Sequence, residues 1–136
     1  MDAVLTSGSK DPVKAGRTQT DQARNAALCG EKPEESLVAF RAQIVHVHLA
    51  NAVLDRADPR YGDHHMPTGA PGFLTLAGIA DILAAGLNAG FFGNARPGVA
   101  VEIRTESGRD PWETERLGRK VLEQAWEVCL RGEAGR

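Results

Sequence analysis

The chain is poor in aromatic residues, in cysteine and in net charge. Aromatic side chains make up only 5% of its 136 residues, too few to build a base-stacking platform for single-stranded nucleic acid. A net charge of −2 leaves no basic footprint for nucleic acid or an anionic membrane, so neither is an expected partner. The two cysteines, Cys29 and Cys129, lie far apart in the sequence. They form neither a metal-type pair nor a disulfide framework, and reduced, partly buried thiols are expected. The N-terminus lacks the apolar core of a signal peptide, which points to a cytoplasmic location. A complete nucleotide-binding motif is missing too. The glycines of GFFGNARPG are not followed by Lys-Ser or Lys-Thr, so they make no phosphate loop.

A hydrophobic fraction of 42% and a charged fraction of 25% are those of an ordinary globular chain with a single core. The expected organisation is an irregular arm over 1–17, one helical domain over 18–132 and a short tail over 133–136. A first short helix is expected from Thr18 or Thr20 through DQARNAALC, stopped by Gly30.

Residues 34–56 carry the central expectation. Pro33 suits a first helical position, Glu34 and Glu35 suit the positive end of the dipole, and Asp58-Pro59 closes the segment. At roughly 100° per residue, Leu37, Phe40, Ile44, Val47 and Leu54 cover one flank, and Val38, Val45, Leu49 and Val53 the other. A polar seam of Glu34, Arg41, His48 and Asp55 separates them. A helix apolar on two sides is a buried, central one. The competing reading is a strand over IVHVHL, which would place His46 and His48 on one face. The helix is preferred because Ala-rich sequence continues on both sides.

Residues 58–72 form a long connection rich in Pro, Gly, Asp and His, of the kind that is functional or mobile. A third helix is expected over 73–92, bulky on one side and small-residued on the other. Its apolar length raises a membrane span, against which Asp81 in its middle counts. VAVEIRTE, near 99–105, alternates as a strand. Asp110, Pro111 and Glu113 open a last helix that Gly132 ends. The fold class expected is therefore mostly α with a minor β element: three to four helices around a central one. The short strand would need a partner in the arm or in a second copy of the chain.

All four histidines lie within 46–65. The candidate metal ligands are His48, His64, His65, Asp63 and Asp55, for a divalent transition metal such as Zn or Fe. On a helix His46 and His48 would point roughly 200° apart, so both could not hold one ion. A second candidate is a polar cluster of His48, Asp81, Asn88 and Arg41, serving as a structural knot or as the polar contacts of a small-molecule pocket. Trp112, at a helix start, is an expected interface anchor. The function expected first is an oligomeric interaction or assembly subunit, through a protein partner or self-association. The alternative is a small metal-dependent enzyme or metal-binding protein using the histidines.

Overall fold

The computed structural model describes residues 19–22, 27–69, 72–92 and 98–132. The arm over 1–17, Thr18 and the tail over 133–136 lie outside the described residues. Within them the chain is a mixed α/β fold and not a helical bundle. In chain order it runs β1 (Gln19–Gln22), α1 (Pro33–Phe40), β2 (Ile44–Leu49), β3 (Asn51–Val53), β4 (Gly62–Met66), α2 (Leu76–Asn88), β5 (Gly98–Val101) and α3 (Pro111–Leu130).

The expected rod over 34–56 is overturned. Helix α1 covers only Pro33–Phe40, and a turn closed by Gln43 N–H donating to Phe40 O at 2.8 Å redirects the chain into β2. Three β-branched residues, Ile44, Val45 and Val47, favour the extended form. Tertiary pairing decides the matter: β2 is the central strand of a parallel sheet ordered β1-β2-β5. What reads as two greasy flanks of a helix is a helix, then a strand. Val47 and Leu49 are buried in the core, at 1% and 0% exposure, while His46 and His48 alternate with them. The polar seam dissolves, because its members sit on a helix, a turn, a strand and a loop.

Two further expectations are corrected with it. Gln19–Gln22 is the edge strand β1, not part of a first helix, although Gly30 does take the left-handed turn expected of it, at φ +80°. The strand at 98–101 finds its partner in β2 of the same chain, so it requires no second copy. A smaller antiparallel pair, β3 with β4, continues beyond β2.

The core gathers Leu37 from α1, Ile44, Val47 and Leu49 from β2, Ile79, Ile82 and Leu83 from α2, and Ala125 and Cys129 from α3. The third and last helices form where the sequence places them, within a few residues. Thr75 caps α2 by accepting from Gly78 N–H at 3.1 Å, and Asp110 caps α3 by accepting from Trp112 N–H at 3.0 Å. At Gly86 a Cβ would press on Phe92 and Leu37, so the absent side chain lets α1 and the Phe91-Phe92 turn pack against α2. Among the described residues no helix is long and apolar enough to cross a membrane.

One buried polar side chain ties Pro67, Gly69 and Leu74 to β3. Asn51, 1% exposed, donates through Nδ2 to Pro67 O at 2.7 Å and Gly69 O at 2.8 Å. Its Oδ1 accepts from Leu74 N–H at 2.8 Å and Ala52 N–H at 3.1 Å. Both donors and both lone pairs are therefore satisfied, the condition under which a buried amide is tolerated. Gly72 passes so close to this amide that any side chain there would collide with it.

Candidate functional site

The extended form of β2 puts His46 and His48 on one face, with their rings edge to face at 4.8 Å. In register beside them on β5 stand Gly98 and Ala100. A Cβ at Gly98 would run into the His46 ring, so the missing side chain makes room for that imidazole over the neighbouring strand.

Just past β5 the chain remains extended, and Glu102 N–H donates to Leu49 O at 2.9 Å. This brings the Glu102 carboxylate between two imidazoles. Its Oε2 lies 3.3 Å from His48 Nδ1, and its Oε1 lies 3.1 Å from His65 Nε2. The approach to His48 is not aligned as a hydrogen bond, so Nδ1 is a buried ring nitrogen within reach of a carboxylate but without a formed bond. The His48 side chain as a whole is 31% exposed. His65 reaches Glu102 from β4 with its backbone at φ +50°, the one left-handed non-glycine residue among those described. Such a conformation is uncommon outside glycine, and strain of this kind gathers at functional sites. A carboxylate facing Nδ1 of His48 favours a proton there and leaves Nε2 as the basic nitrogen. Facing Nε2 of His65, it favours the opposite tautomer.

The sequence candidates are divided by the structure. His48 and His65 come together, with His46 beside them. Asp55 is exposed and its Oδ1 accepts from Ala57 N–H at 2.9 Å, within its own turn. His64 is exposed and lies in a separate groove with Arg60 and Arg104. Asp63 is in β4. In the second cluster, Arg41 donates to Ala89 O at 2.6 Å and closes the end of α2, while Asn88 is exposed and Asp81 half-buried. Trp112 is 78% exposed, whereas Trp126 packs edge-on against Phe92 at 5.7 Å.

Glu102 is the residue that sequence reasoning misses, and His46 the one it sets aside. The alternation of VAVEIRTE already places Glu102 opposite Val99 and Val101. Only a strand over IVHVHL gives that face something to meet. Among the described residues no group of three or more His, Cys, Asp or Glu is arranged to hold a metal ion. Comparisons of the chain with protein-family models, with curated proteins and with solved structures each find no match.

Proposed function

We propose that His48, Glu102 and His65 form a proton-transfer centre that acts on a small molecule as a general acid–base pair. The observation that carries this reading is the single carboxylate set between two imidazoles at 3.3 and 3.1 Å. A base oriented by a carboxylate is the recurring arrangement of acid–base and nucleophilic sites. Here His48 Nε2 takes a proton, Glu102 stabilises the imidazolium formed, and His65 is the second imidazole on the same carboxylate. The position agrees with the habit of parallel sheets, whose ligands bind beyond the carboxyl ends of the strands.

The test is deuterium exchange at carbon next to the carbonyl across a panel of small carbonyl compounds, followed by NMR. Exchange catalysed by the protein is expected to fall by about 10²–10⁴-fold in Glu102→Leu and in His48→Ala. If no member of the panel exchanges, and untagged protein retains stoichiometric zinc that His48→Ala loses, the histidines serve a metal instead. Glu102 would then be the carboxylate behind a ligating imidazole.

A second reading, an interaction or assembly subunit, is favoured by Trp112 and Leu117 on α3, exposed at 78% and 53%. Light scattering tests it, and a strict monomer at all micromolar concentrations would remove it.

A further inference from the structure

We propose that the groove between β4 and the segment following β5 binds the carboxylate of a small organic acid. The groove encloses about 220 Å³. Arg60, His64 and Arg104 line it with three nitrogen-bearing side chains, Thr105 and Glu106 with two oxygen-bearing ones, and Met66 and Pro67 with apolar surface. Its two sides are tied together by Arg104 N–H donating to His65 O at 2.8 Å.

One of the donors is held in place. The guanidinium of Arg60 is gripped by Asp58, Nε to Oδ1 at 3.0 Å and Nη2 to Oδ2 at 2.8 Å. That fork pair holds the Asp58 carboxyl below its ordinary range and leaves Arg60 Nη1 as an oriented donor. Among the described residues the Arg104 guanidinium takes part in no ion pair.

Charge counting selects the ligand class. Asp58 balances Arg60, and Glu106, also in the groove, lies 3.8 Å from Arg109. Arg104 has no ion-pair partner among the described residues, so these five side chains together sum to one positive charge. A carboxylate carries one negative charge and matches it. A phosphate monoester carries about 1.5 to 2 at neutral pH, and the excess would face Asp58 and Glu106. The planar guanidinium fork fits a carboxylate through two parallel hydrogen bonds. The Met66 and Pro67 wall then receives a short hydrocarbon chain.

This site does not depend on the acid–base reading, and the experiment keeps the two apart. Acetate, propanoate and inorganic phosphate are titrated separately into the full chain while amide and side-chain NMR shifts are followed. Saturable shifts are expected at Arg60, His64, Arg104 and Thr105, with propanoate tighter than acetate and phosphate weaker than both. Arg104→Met is expected to weaken propanoate about tenfold. Arg104→Lys, which keeps the charge and loses the fork, falls between, and His48→Ala leaves binding unchanged. Phosphate binding more tightly than propanoate, equal binding by Arg104→Met, or absence of saturable shifts would each overturn the proposal.

Discussion

Glu102 meets the His48 strand twice, by its backbone N–H donating to Leu49 O at 2.9 Å and by its carboxylate standing 3.3 Å from His48 Nδ1. The pairing that extends the sheet is thus the same feature that fixes the carboxylate against the imidazole. Removing the carboxylate should change the tautomer and not the fold. In nitrogen-detected NMR at neutral pH, His48 is expected to carry its proton on Nδ1, and Glu102→Leu to shift it toward Nε2. An unchanged tautomer would mean that the contact does not orient the ring.

Gly98 and His46 should be energetically coupled. Gly98→Ala drives a Cβ into the imidazole, an overpacking expected to cost about 1–3 kcal/mol. In the Gly98→Ala, His46→Ala double variant most of that cost should disappear. A double-mutant cycle by urea denaturation measures it, and strict additivity would show that the ring has room elsewhere.

Asn51 should be among the most sensitive positions in the chain. Asn51→Leu leaves the carbonyls of Pro67 and Gly69 and the N–H groups of Ala52 and Leu74 without this partner. The expected loss is about 3 kcal/mol, or more if residues 67–69 and Leu74 detach from β3. Hydrogen exchange at Leu74 N–H should accelerate in parallel.

The two cysteines should differ in reactivity. Cys29 is exposed and Cys129 buried, and burial pushes the Cys129 thiol above its ordinary value of 9.0. A thiol reagent should modify Cys29 quickly in the native protein and Cys129 only on unfolding. The linkage has a definite sign. The folded state holds the Cys129 proton more tightly, so its contribution is complete below the unfolded value and is lost as pH rises from there through the folded one. Cys129→Ala should flatten this alkaline loss of stability, measured by denaturation across that window.

Much of the local structure was legible in the residues. Asp110 and Pro111 announce α3, and Glu115 and Arg119 meet at 3.5 Å along it as their spacing requires. Gly30 turns where it should, and VAVE alternates as a strand. These signals are local: a cap, a ring-fixed φ and a period of two act within a few residues.

The central stretch was not legible in the same way. Residues 44–49 are apolar at every position but the two histidines, and such a run satisfies a buried helix or a central strand equally well. Which one forms depends on backbone partners contributed by Gln19–Gln22 and Gly98–Val101, both remote in sequence. The site inherits that dependence. Cap and turn chemistry determined where α1 begins and where α3 begins and ends, whereas only the parallel pairing of β2 with β5 decided that His46 and His48 share a face and that Glu102 stands beside them. Hydrogen bonds across strands are long-range in the chain, so no window of neighbouring residues contains them.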